Sequence, residues 1–134
     1  MKRDFDLIRR ILLLIESDQK GIDILSLNNA ELCASLSVDK GDALGHLKLL
    51  VEAGFVNGGN GWLTSSGVNV SGLSWHGHEF LDTIRDEEIW KRTKEGAKSV
   101  GSFSIDVIKD VAKAVINKKI IEWTNGEFGF GGSA

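Results

Sequence analysis

Apolar residues recur at helical spacing from the start of the chain. Phe5, Ile8, Leu12 and Ile15 fall on one stripe, with Leu7, Ile11 and Leu14 beside it, which predicts a helix over residues 4–17. That face is wider than a helix covered on one side requires. It is expected to be covered on two, by the C-terminal helix or by a second subunit. Gly21 ends this unit, and Ile22-Asp23-Ile24 alternates as a short strand would. Asn28, with Glu31 three residues on, makes a capping box for a second helix whose buried stripe is Leu32, Cys33 and Leu36. After a tight turn at Ser37-Val38-Asp39, Asp39 caps a third helix over about 40–53. Its inner face is Leu44, Leu47, Leu50 and Val51, and Gly54 stands just past its end.

Phe55-Val56, Trp62-Leu63-Thr64 and Val68-Asn69-Val70 read as extended. Turns at Gly58-Gly59-Asn60-Gly61 and Ser65-Ser66-Gly67 separate them. This pattern fits either one long hairpin or a hairpin plus an extra strand. Ser74 caps a fourth helix running to about Lys94. Ser104 caps a fifth over about 105–121, with Ile105, Ile108, Ala112, Val115 and Ile116 inward. The expected fold is therefore mainly α with a small β-hairpin: a winged helix-turn-helix with additional C-terminal helices. The expectation is one domain over 1–122, with the helix-turn-helix at about 28–53, the wing at about 55–73 and C-terminal helices at about 75–121. A flexible glycine-rich tail, 123–134, follows.

Length and composition agree with a folded domain: 134 residues, 42% hydrophobic and 26% charged. The single cysteine, Cys33, excludes an internal disulfide and a site of paired cysteines, and it reads as a small core residue in a reducing cytosol. Asp4, Asp6, Arg9 and Arg10 break up the first apolar run, so it does not read as a signal peptide. The longest stretch without Asp, Glu, Lys or Arg, Ala53 to His78, is rich in Gly, Ser and Asn and does not read as a membrane span. The expected location is the cytoplasm of a bacterial cell. The chain has no proline, so its bends depend on glycine.

Three segments resemble a family of bacterial proteins, often carried by phages and prophages, known as domain of unknown function 2513. They are Met1-Lys2-Arg3-Asp4 through Asp6-Leu7-Ile8-Arg9, then His46-Leu47-Lys48-Leu49-Leu50 through Glu52-Ala53-Gly54. The third and most specific is Leu73-Ser74-Trp75-His76-Gly77-His78-Glu79-Phe80-Leu81-Asp82, followed by Ile84-Arg85-Asp86 and Trp90-Lys91. The resemblance covers about residues 1–120. Ser74 and His76 depart from the pattern, which has Thr and Glu there; Ser keeps a capping hydroxyl, whereas His removes an acid from a helix start. The resemblance implies a winged-helix fold of mobile-element origin and brings no activity and no catalytic residues.

DNA binding is the usual role of such a fold, with the third helix in the major groove, but a fold does not establish a function. Affinity for DNA comes largely from Lys and Arg, and here charge changes the picture. Residues 11–52 carry three basic and seven acidic side chains, and residues 53–78 carry none. The expected outward face of the third helix offers Asp42, Gly45, His46, Lys48, Leu49 and Glu52 rather than base-reading Arg, Asn or Gln. The reading is thus a non-enzymatic module that binds a protein partner, through Asp42, Gly45, His46, Lys48, Leu49, Asn60 and Trp62. One such role would be to modulate a host nucleic-acid-binding or defence protein. The bland alternative for Trp62 is that it packs on the base of its own wing. The alternative function is a DNA-binding transcriptional regulator, whose contacts would be Lys2, Arg3 and the lysines of the last helix: Lys109, Lys113, Lys118 and Lys119. A homodimer is a further expectation.

The pattern offers little to an enzyme. His76 and His78, two apart on a helix, point about 200° from each other and do not share an ion readily, so no metal and no cofactor is expected. Ser65 and Ser66 have no base or oxyanion partner in the pattern. Gly58-Gly59-Asn60-Gly61 lacks the Lys-Ser or Lys-Thr of a phosphate loop. Asp86-Glu87-Glu88, followed by Lys91, Arg92 and Lys94, suits solvated ion pairs on a helix. Trp75 and Trp90 read as core or dimer-interface residues.

Overall fold

The carboxylate of Asp4 accepts the backbone N–H groups of Asp6 and Leu7 at 2.9 and 3.2 Å and so opens α1 (Phe5–Asp18). The computed structural model describes residues 1–128. It divides into two compact units, residues 1–81 and residue 82 onward, where the pattern suggested one domain over 1–122. In the first unit α1 is touched by α2 (Asn29–Leu36), α3 (Lys40–Glu52) and β4 (Gly72–Leu73). Phe5, Leu7, Ile8, Ile11, Leu12 and Ile15 are all buried among these neighbours. The width of the apolar face is thus met within the unit. Each such Leu or Ile contributes about 1.5–3 kcal/mol when fully buried.

The capping signals act locally and fall where the sequence places them. Asn28 and Glu31 form both halves of the capping box on α2. Asp39 accepts from the N–H of Asp42 at 2.8 Å to open α3. Between the two helices Ser37 adopts a left-handed conformation, φ 55°, and Gly54 does so after α3, φ 81°. For Gly54 this carries no Cβ penalty; for Ser37 it does.

The first strand departs from expectation. β1 is Leu25–Asn28, and Ile22-Asp23-Ile24 lies in the preceding turn and loop, with Ile22 97% exposed. Pairing decides this. β1 runs antiparallel to β3 (Gly67–Val70) in the register Leu25↔Val70 and Leu27↔Val68, which sets the leucines against buried valines. On the other face Ser26 donates to the Asn69 side-chain oxygen at 2.6 Å. β2 (Val56–Asn57) pairs with β4. The Asn69 N–H donates to the Trp62 carbonyl at 2.7 Å, and the Thr64 N–H to the Gly67 carbonyl at 2.9 Å. Residues 56–73 therefore form one long hairpin interrupted at Gly58–Gly61. Gly67 is required at the tip: a Cβ there would overlap the Leu27 carbonyl oxygen.

Ser74 caps α4 (Trp75–Ile84) through the N–H of Gly77 at 3.0 Å. The expected helix to Lys94 is instead two. The chain breaks at Arg85-Asp86, and the Asp86 carboxylate accepts from Ile89 at 2.9 Å to open α5 (Glu87–Val100). In the second unit α5 lies antiparallel to α6 (Ile105–Phe128). Gly96 allows the approach, since a Cβ there would meet Val111, and Lys119 sits 3.7 Å from Glu88. Ser104 accepts from the N–H of Val107 at 3.3 Å, as expected of its cap, and Ile108 and Ala112 are buried. The helix does not stop near 121. It carries Gly126 within it and continues to Phe128. The rest of the expected tail, 129–134, lies outside the described residues. Among the described residues no helix is long and apolar enough to cross a membrane.

Candidate functional site

The third helix carries a different stripe from the one its apolar residues suggest. Ala43, His46, Leu47 and Leu50 are buried, at i, i+3, i+4 and i+7, while Leu44 and Val51 are half-buried. His46 is therefore a core residue, 1% exposed, and is removed from the outward face expected for it. Its ring is fully used. Nε2 accepts the N–H of Asp4 at 2.8 Å, and Nδ1 lies 2.8 Å from the Asp42 carbonyl oxygen. A backbone N–H only donates, so the ring proton belongs on Nδ1, where it is given to Asp42.

This bond lays residues 1–4 along α3. Met1 covers Gly45, whose Cβ position its sulfur and methyl would contact. Lys2 and Arg3, between these two fixed points, are exposed, and the Arg3 guanidinium stands 5.5 Å above the Phe5 ring. Of the other expected α3 contacts, Asp42 and Lys48 are exposed and Leu49 is half-buried. Lys48 lies 3.7 Å from Glu52, both well exposed, a pair worth little in water. Along residues 1–4 and 39–52 the acids Asp4, Asp39, Asp42 and Glu52 equal in number the basic Lys2, Arg3, Lys40 and Lys48.

On the hairpin, Trp62 is half-buried, with Gly58 beneath its ring: a Cβ at Gly58 would lie 2.8 Å from Cγ of Trp62. Trp62 thus packs on its own loop. Asn60 is exposed between Gly59 and Gly61, both at positive φ. Below the hairpin tip an open groove of about 260 Å³ is lined by Ser26, Asn28, Glu31, Ser66 and Asn69 among others. Its one ionisable group, Glu31, belongs to the capping box of α2.

Three exposed apolar side chains missed by the sequence pattern flank one end of the β1–β3 ladder along the chain. Ile22, Ile24 and Trp75 are 97%, 64% and 77% exposed. The Leu25↔Val70 pair closes that end. From it the chain leads back through Ile24 to Ile22 on one side and on to Trp75 on the other. The Gln19 side chain ties these segments together. It donates to the carbonyls of Gly21 and Asp23 at 2.7 and 3.0 Å and lies against Gly72. One turn into α4, His78 stands 3.7 Å from Glu16 of α1. Of the two readings for these tryptophans, core or dimer interface, Trp90, 4% exposed, is core, whereas the exposure of Trp75 removes only the core reading.

The last-helix lysines do not form one stripe. Lys109 and Lys113 are a turn apart, but Lys118 lies half a revolution from Lys109 at 100° per residue, and Lys119 faces Glu88. Cys33 is half-buried. His76 is exposed, and among the described residues no three His, Cys, Asp or Glu side chains converge where a metal could sit.

The chain is similar to an uncharacterised protein of Haemophilus influenzae, 34% identical over 126 residues, which cover 90% of this chain and 99% of that relative. No solved structure matches it. Residues 2–104 match the family described as "Hypothetical protein (DUF2513)", which extends from the arm on α3 through both caps at Ser74 and Asp86. On that match the chain belongs to the family of domain of unknown function 2513.

Proposed function

We propose that this chain is a non-enzymatic winged-helix module that binds a protein partner inside a bacterial cell, with Trp75 as the anchor of the contact. The winged-helix reading is supported by the order α1, β1, α2, turn, α3, hairpin, and by the pairing of β1 with the returning arm of that hairpin. The partner reading is carried by one observation: Trp75 is 77% exposed, and Ile22 and Ile24 are 97% and 64% exposed. Isolated exposed apolar side chains are ordinary, but a largely exposed tryptophan is of the residue type most enriched among interface anchors. Lys20, Asp23, His76 and Glu79, all exposed, supply the polar rim.

A specific observation favours a second reading, a DNA-binding regulator. The arm held by His46 carries Lys2 and Arg3 alongside α3, so basic groups do reach the helix that would enter a groove. The equal number of acids among residues 1–4 and 39–52 weighs against it. Anisotropy titrations against mixed duplex DNA at two salt concentrations separate the readings. The protein-partner reading expects no salt-sensitive binding at micromolar protein. The DNA reading expects binding whose logarithm falls with log salt at a slope of about −2 if Lys2 and Arg3 alone neutralise phosphates.

A further inference from the structure

Asparagine is followed by glycine at three places in the chain: Asn57-Gly58, Asn60-Gly61 and Asn125-Gly126. This pair is the one most open to loss of the side-chain amide, because glycine has no side chain to keep its backbone nitrogen away from the asparagine Cγ. All three asparagines are exposed, so access to water does not separate them. Backbone does. Asn57 lies in β2, where its carbonyl accepts the N–H of Ser71 at 2.7 Å, and Gly58 is packed beneath the Trp62 ring. Asn125 and Gly126 lie in α6, whose repeating torsions point the glycine nitrogen along the helix. Asn60 and Gly61 form a turn outside any helix or strand, and Asn60 stands between Gly59 at φ 68° and Gly61 at φ 73°. A Cβ at either glycine would meet nothing, so no neighbour opposes the turn as it brings the Gly61 nitrogen to the Asn60 side chain.

We propose that Asn60 is a site of spontaneous deamidation. The Gly61 backbone nitrogen attacks Cγ of Asn60 and a C–N bond forms. The proton of that nitrogen and the side-chain amino group leave together as ammonia, and a succinimide ring remains. Water opens the ring at either carbonyl, giving aspartate or isoaspartate. The net exchange is one water taken up for one ammonia released, with no oxidant, reductant or cofactor. The product carries a negative charge where residues 53–78 hold no Asp, Glu, Lys or Arg, and its isoaspartate form also lengthens the main chain of the turn. The reaction does not depend on the reading of Trp75 as an anchor.

Incubation of the full chain at mildly alkaline pH, in buffer and in denaturant, followed by peptide fragmentation in a mass spectrometer, tests this. In denaturant only the dipeptide matters, and the three asparagines convert at comparable rates. In the folded protein Asn60 converts at least about tenfold faster than Asn57 and Asn125, whose backbone must first open locally. Isoaspartate, counted by its methylation with an isoaspartyl methyltransferase, builds up in the folded wild type and falls by about tenfold in Asn60→Ser. Folded Asn60 converting no faster than Asn57 or Asn125, or Asn60→Ser gathering isoaspartate as fast as the wild type, overturns the proposal.

Discussion

The backbone N–H of Asp4 donates to Nε2 of His46 at 2.8 Å, across 42 residues of sequence. One histidine thereby joins the start of the chain to the helix that a winged fold would use for recognition. His46→Leu keeps most of the buried volume but strands the Asp4 N–H. It is expected to cost roughly 1–3 kcal/mol in urea unfolding. Trypsin should then cut after Lys2 and Arg3 faster in this variant than in the wild type. Unchanged stability would mean the bond does not hold the arm.

Gly45→Ala separates the arm from the core. The new methyl meets only the end of the flexible Met1 side chain, while alanine favours the helix by about 1 kcal/mol over glycine. Thermal stability should therefore hold or rise, and cleavage at Arg3 should still quicken. A loss of stability would show that Met1 packs more rigidly than its position implies.

Gly77→Ala should be severe. A Cβ at this position would overlap the Phe55 carbonyl oxygen, and backbone does not yield as a side chain does. A loss of at least about 2 kcal/mol is expected. Gly126→Ala, where a Cβ meets nothing, serves as the control and should not destabilise.

Ser37→Gly should stabilise. Ser37 holds φ 55° between α2 and α3, a conformation costing about 1–2 kcal/mol for a residue with a Cβ. Glycine removes that cost but adds about 0.4–1 kcal/mol of unfolded-state entropy. The difference spans about 0–1.6 kcal/mol, centred near about 0.8, and is read as a shift in the urea midpoint at constant slope.

Features set by neighbouring residues were legible in the sequence. Asn28 with Glu31, Asp39, Ser74, Ser104 and Gly54 each act within a turn of themselves, and each stands where the pattern places it. The break at Asp86 had its signal too: an N-cap residue followed by two acids is a helix start, though the same run also reads as a solvated charged face. Features set by distant partners were not legible. The choice of Leu25–Asn28 over Ile22–Ile24 depends on Val68 and Val70, more than forty residues away. His46 faces inward because Asp4 offers it a donor, and a polar side chain gives no apolar signal of that. The apolar surface went unseen for the same reason. Ile22 and Ile24 look like strand residues until the β1–β3 register leaves them outside, and an aromatic residue such as Trp75 reads equally as core or as interface.

The central claim is that Trp75 anchors a protein. Trp75→Ala should leave folding within about 0.5 kcal/mol of wild type, since the side chain is largely exposed. The most direct measurement is a quantitative capture from nuclease-treated bacterial lysate, with the wild type and the Trp75→Ala and Ile24→Ser variants as parallel baits. The account predicts a defined protein retained by the wild type and lost from both variants. A protein held equally by all three baits, or a captured species that vanishes with the nuclease treatment, would contradict it.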